Sequence, residues 1–148
     1  MGYGLSYDLH KLTARLDRAA DDLLRDEGIT YARFLALFAV RETLGTQREV
    51  AGWLGQTEAS TSRMVTVLAN DGLLEVMRLA GVGNRRQLRL TNWGADLVER
   101  CGRVLEDRFS DFVGRSGVSH TTYHRLTRRL LNQLDADKRD YVETKESP

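Results

Sequence analysis

Between Thr46 and Leu90 the apolar residues change period, and few folds accommodate that change. "TQREVAGWLG" reads as a short helix over 46–54. Thr46 and Glu49 form a T-x-x-E capping box, Val50, Ala51 and Leu54 face inward, and Gly55 stops it. "TEASTSRMVTVLANDGLL" (57–74) reads as a second helix over 58–71, capped by Thr57 and stopped by Gly72. Met64, Val65 and Leu68 make its apolar stripe. Its first turn is unusual: Thr57, Ser60, Thr61 and Ser62, all poor helix formers, precede Arg63. "EVMRLAGVGNRRQLRL" then has the pattern of two short strands around the Gly-rich turn "AGVGN". Leu88 and Leu90 alternate there with Gln87 and Arg89, which is period two.

Long amphipathic segments flank this block. Leu5, Leu9, Leu12, Leu16, Leu23 and Leu24 predict a helix over 5–27 with a coiled-coil-like seam, ended by Gly28. Thr30 caps a helix running to about Leu44, with Phe34, Leu35, Leu37 and Phe38 buried. Thr91 caps another, over 92–114, with a stripe of Leu97, Val98, Cys101, Val104, Leu105, Phe109 and Phe112. Ser119 caps the last, with Val118 and Tyr123 as a hydrophobic staple. Tyr123, Leu126, Leu130 and Leu134 carry its face to about 136. The polar tail 137–148 is expected to fray. The only proline is Pro148, so none interrupts these helices.

The predicted fold is mainly α with a small β-hairpin wing: a winged helix-turn-helix over 30–91 between helices 5–27 and 92–136. With 148 residues, one domain is expected, and roughly two-thirds of the unfolded surface is buried at this size. The terminal stripes are too extensive for a 30-residue hairpin to cover, and a second copy of the chain can cover them. Composition agrees with a globular chain, 41% apolar and 29% charged. No apolar run approaches the ~18 residues of a membrane span, and no secretory signal is read at the N-terminus. A single cysteine, Cys101, precludes an internal disulfide and fits a reducing cytoplasm.

A helix-turn-helix presents the N-terminal end of its second helix to the DNA major groove. Such an end must be thin and carry hydrogen-bonding tips for bases and phosphates. Ala59, Ser60, Ser62 and Arg63 meet that need. The hairpin carries Arg78, Arg85, Arg86 and Arg89 against one acid, Glu75. Its tip can present an arginine to a narrow minor groove. Nineteen of the 22 basic residues are Arg, which binds phosphates and bases in bidentate fashion, although a codon bias is the better account of the count. The positions therefore carry the argument.

Segment 46–94 resembles the multiple-antibiotic-resistance regulator (MarR) family of transcription factors. "TQREVAGWLG" is similar to the family's first helix-turn-helix helix. "TEASTSRMVTVLANDGLL" is similar to its recognition helix, with S/T-x-x-R-hydrophobic and a closing G-L-hydrophobic. "RRQLRLTNWG" is similar to the second wing strand and the L-T-x-x-G that opens the next helix. The resemblance implies an obligate homodimer through the terminal helices, a pseudo-palindromic double-stranded DNA operator, repression, and ligand-induced release. It implies DNA contacts from Ala59, Ser60, Ser62 and Arg63 and from the wing arginines, foremost Arg85 and Arg86. One departure stands out. Family wings carry Asp-x-Arg near the tip, whereas this chain has Val82 and Asn84 there. Either the minor-groove contact is shifted to Arg85 or Arg86, or the wing is shorter and the contact weaker.

Tyr31, Phe34, Phe38, Trp53 and Trp93 are candidates to line a pocket for a small aromatic or apolar effector, although plain core is the favoured reading for Phe34 and Phe38. His120 and His124 have metal-compatible spacing, but two ligands do not make a site, and no metal or other cofactor is expected. Cys101 lies on an apolar stripe and reads as structural, with Arg100 and Arg103 beside it. No nucleophile–base set or paired carboxylates mark an enzyme. The competing function is a helical dimer that binds another protein and has lost DNA binding.

Overall fold

A computed structural model of the chain describes residues 4–43, 45–81 and 85–146. Leu44, Val82 and Asn84, which enter the sequence expectations, lie outside the described residues. The elements run α1 (Leu5–Leu24), a 3-10 turn (Arg25–Glu27), α2 (Tyr31–Glu42), α3 (Gln47–Leu54), α4 (Glu58–Asn70), β1 (Leu74–Arg78), β2 (Arg86–Leu90), α5 (Asn92–Arg115) and α6 (His120–Glu146). Residues through Leu105 form one compact unit and those from Glu106 another. The division falls inside α5.

The first unit packs as its apolar periods dictate. Leu24 and Ala20 of α1, Phe34, Leu37 and Val40 of α2, Val50 and Ala51 of α3, and Val65 and Leu68 of α4 are buried. Leu73, Leu74 and Leu88 from the hairpin and Leu97, Val98, Cys101 and Leu105 from α5 are buried as well. Leu35 and Phe38, expected inside, are only half-buried, because the inward face of α2 turns toward Ala36, Ala39 and Val40. Val104 and Phe112 of the expected α5 stripe remain exposed.

The helix ends follow local chemistry. Thr30 Oγ1 accepts from Arg33 N (3.3 Å), and the Thr46–Glu49 capping box forms in both directions, with each backbone N–H donating at 3.2 Å. Gly55 closes α3 in the left-handed region (φ 65°), where a side chain would be strained. The start of α5 is docked rather than merely capped. Thr91 Oγ1 donates to Gly72 O (2.7 Å) and accepts from Gly94 N (3.0 Å), while Thr91 N donates to Leu73 O (3.2 Å). The L-T-x-x-G motif is therefore a clamp between the end of α4 and the beginning of α5.

β1 and β2 pair antiparallel, with Leu74 opposite Leu90, Glu75 opposite Arg89 and Arg78 opposite Arg86. The hairpin is tied to the start of α3: Leu88 N donates to Gly45 O (2.7 Å), and Thr46 bridges Gln87. Gly45 (φ 79°) is required there, because a Cβ would lie 2.9 Å from Gln87 Nε2 and against the Leu88 carbonyl.

The second unit corrects the sequence expectation. α6 continues to Glu146, about ten residues beyond the predicted end near 136. The polar tail contains good helix formers and no breaker before Pro148, so loss of the apolar stripe does not end the helix. Ser119 Oγ accepts from Thr122 N (3.2 Å), as expected of a cap. Tyr123, Leu126, Leu130, Leu131 and Leu134 are exposed along α6. Leu5 and Leu9 are exposed on α1. Among the described residues no helix is long and apolar enough to cross a membrane.

Candidate nucleic-acid interface

The hydroxyl residues at the start of α4 divide by phase, since successive helical side chains turn by about 100°. Thr57 is the cap; its side chain accepts from Ser60 N (3.2 Å). Thr61 is fully buried with Val65 and Leu68, at i, i+4 and i+7. Its Oγ1 has no hydrogen-bond partner among the described residues. Ala59 and Arg63 share the outer, exposed face, while Ser60 and Ser62 are half-buried on its two flanks. The four expected contact residues thus span the accessible arc of the first turns. Only Ser62 turns toward the wing.

Between α3, the first turn of α4 and the hairpin lies a cleft of about 830 Å³. Ser62 and Glu58 line it from α4, and Gln47, Arg48 and Glu49 from α3. Arg78, Arg85 and Arg86 line it from the hairpin. Arg85 and Arg86, expected at the site, are thereby brought to the same cleft as Ser62. Arg63 lies on the outer face of α4, outside that lining.

Charge pairing distinguishes these arginines. Arg89 is held by Glu75 across the strands, at 2.7 Å from Nη2. Among the described residues no carboxylate pairs with Arg48, Arg63, Arg78, Arg85 or Arg86. Arg78 and Arg86 are directly opposite in the register, an arrangement that destabilises a strand pair unless an anion lies between the charges. Sequence reasoning counts Arg78 as hairpin charge without assigning it to the site, and it misses Arg48 and Glu58. The signal for Arg78 is period two: counting back from the pairing of Leu74 with Leu90 sets it across from Arg86. Arg48 and Glu58 give no comparable signal, because both sit in first turns where charged residues are ordinary.

The aromatic candidates separate. Tyr31, Phe34, Phe38 and Trp53 form one ladder, with ring centroids 6.1, 5.9 and 5.7 Å apart in sequence order. Phe34 is buried, and the Arg41 guanidinium lies 4.7 Å over the Phe38 ring. Burial, reinforced by the charge of Asp17, raises the Tyr31 phenol above its usual pKa. Trp93 does not join this ladder. It packs beside Gly72 and lines a second cleft of about 390 Å³ with Ile29, Leu73 and Leu97. Two ion pairs flank that cleft, Arg100–Glu27 (3.1 Å) and Arg33–Asp71 (3.8 Å). Trp93 directly follows the α5 start that Thr91 docks onto the end of α4, which explains its separation from the α2 rings.

Cys101 is fully buried, and burial together with the Glu27 charge pushes its thiol up to about 11 against the opposing pull of Arg100. Such a thiol stays protonated and inert near neutral pH. His120 and His124 stack at 6.2 Å, and His120 Nε2 meets Glu106 Oε1 at 3.0 Å. No group of three or more metal-ligating side chains occurs among the described residues.

The elements define a winged helix-turn-helix protein: α3 and α4 joined by a tight turn, with an antiparallel hairpin behind them and longer helices before and after. More narrowly, the fold is that of the MarR-family transcriptional regulators. The chain is similar to S. aureus MepR in its DNA complex (TM-score 0.76, 21% identity, 91% of this chain and 99% of that one). It is similar to M. tuberculosis MosR in complex with DNA (0.72, 22%, 91% and 96%) and to E. coli MarR in its apo form (0.73, 21%, 90% and 98%). No family model and no curated protein sequence matches the chain.

Proposed function

We propose that this chain is a sequence-specific, double-stranded DNA-binding transcriptional regulator that acts as a repressor. It binds a pseudo-palindromic operator as a homodimer, with α4 in the major groove and the wing at the minor groove. The observation that carries this reading is the cleft beside α4, where Arg48, Arg78, Arg85 and Arg86 lack carboxylate partners among the described residues and Arg78 faces Arg86 across the hairpin. A polyanion relieves that repulsion, and the exposed Ala59–Arg63 face beside it supplies contacts for base edges. The apolar rows on α1 and α6 support assembly through the terminal helices. MepR and MosR, which share the fold, are described as complexes with DNA.

Release by a small aromatic or apolar effector belongs to the same proposal. The Trp93 cleft reaches Asp71 and Leu73 at the end of α4, so a ligand that binds one arrangement of those residues better shifts the recognition helix.

The deciding experiment is a salt titration of binding to mixed-sequence duplex DNA. Affinity should fall steeply and linearly in log–log form. Binding that is absent or independent of salt would remove DNA recognition and favour the protein-interaction alternative. Sedimentation at low micromolar concentration should find a dimer; a well-folded monomer there would refute the dimeric arrangement.

A further inference from the structure

We propose that Glu58 reads a base: its carboxylate accepts a hydrogen bond from the exocyclic amino group of a cytosine in the major groove. This rests on the DNA-binding reading and names one determinant of its specificity.

Glu58 is the first residue of α4, and it lines the wing-side cleft together with Ser62, one turn further on. Gln47 Nε2 approaches its backbone carbonyl at 3.5 Å, so the start of α4 faces the start of α3. Its side chain is exposed. Arg78, Arg85 and Arg86 line the same cleft, yet among the described residues none of them pairs with the Glu58 carboxylate. Local ion pairing does occur in this hairpin, where Glu75 takes Arg89. Glu58 is thus a carboxylate in a basic cleft with no ion-pair partner among the described residues.

Such a charge opposes phosphate binding and lowers affinity for every duplex. It favours a bound state only where the DNA offers a donor, and in the major groove the donors are cytosine N4 and adenine N6. Adenine sets its N7 acceptor beside the amino group, and a carboxylate meets that lone pair unfavourably. Cytosine N4 has no such neighbour on its own base. The O6 and N7 acceptors of the paired guanine remain for a hydroxyl or guanidinium, and Ser62 stands one turn away on the same flank. A purely structural role is the alternative, since an acid in a helix's first turn is stabilised by the macrodipole. That role predicts no change in base preference when Glu58 is replaced.

The test is selection from a randomised duplex pool by the full chain, wild type against Glu58→Gln and Glu58→Ala, followed by competition binding on the selected duplexes. The wild type should select a fixed cytosine in each half-site and reject its replacement by roughly 5- to 150-fold. Glu58→Gln should move that position toward adenine, because a carboxamide pairs with N6 and N7 together. Glu58→Ala should erase the preference there, keep the rest of the motif, and bind random duplex about threefold more tightly at low salt. An unchanged motif in both variants overturns the assignment, as does a wild-type motif with no cytosine opposite α4. Lower thermal stability with an unchanged motif identifies the structural role instead. A wild type that retains no duplex at all overturns the DNA-binding reading, and this inference with it.

Discussion

Replacing Gly94 by alanine should destabilise the chain by about 3 kcal/mol or more, while the same change at Gly102, in the same helix, should stabilise it by about 0.5–1 kcal/mol. A Cβ at Gly94 would fall inside van der Waals contact of the Leu73 carbonyl oxygen and 3.0 Å from its carbon. The obstacle is backbone, so no side chain can rotate away. Relief requires α5 to back off from Leu73, which breaks the Thr91 bonds to Leu73 O and Gly72 O. Leu73, Leu74 and Leu97 are buried at this junction. A Cβ at Gly102 meets nothing within 4 Å, so alanine there gains helix propensity alone. Urea midpoints at one fixed protein concentration measure both, the fixed concentration being needed because the proposed homodimer would make stability concentration-dependent. At this chain length a loss of about 3 kcal/mol lowers Tm by roughly 6–12 °C. Equal midpoints for Gly94→Ala and wild type would show that α5 does not approach Leu73 as described.

The Gly94 contact also shows where sequence reasoning stops. The caps at Thr30, Thr46, Thr57, Thr91 and Ser119 involve partners three residues away, so they are legible in the chain itself. The switch from period 3.6 to period 2 is equally local, and it locates the hairpin. Gly94 reads as the last letter of a motif, but its reason lies 21 residues back at Leu73, where two backbones meet. Thr61 is an intermediate case. Its phase relative to Val65 and Leu68 assigns it to the core, yet its hydroxyl makes it look like part of the groove-facing set. Glu58 and Arg48 escape a reading of the chain because the cleft that unites them exists only after α3, α4 and the hairpin pack. Residue type groups Trp93 with the α2 aromatics; the tertiary path of α5 decides otherwise.

Arg63→Ala and Arg86→Ala should weaken DNA binding in different ways, and the difference separates reading from anchoring. Arg63 is exposed on the outer face of α4 with no carboxylate partner among the described residues, so its guanidinium is free for a guanine edge. In a dimer the two recognition helices enter successive major grooves about 34 Å apart. Removing a bidentate guanine interaction costs roughly 1–3 kcal/mol per half-site. Arg63→Ala should therefore reduce affinity for a selected operator far more than for random duplex. Arg86 and Arg85 face the cleft from the hairpin, and their role in the proposal is to hold the backbone or enter the minor groove. Arg86→Ala, with Arg85→Ala beside it, should weaken both duplexes together and flatten the salt dependence by about one unit for each phosphate no longer neutralised. Arg86→Ala also removes the repulsion opposite Arg78, so the free chain should not lose stability, which excludes unfolding as the cause. Arg89→Ala is the control, because Glu75 already neutralises that charge, and its salt slope should move least. If the wing variants change only sequence preference while Arg63→Ala weakens all DNA equally, the two elements have exchanged roles. If none of the three changes binding, DNA recognition does not occur on this face.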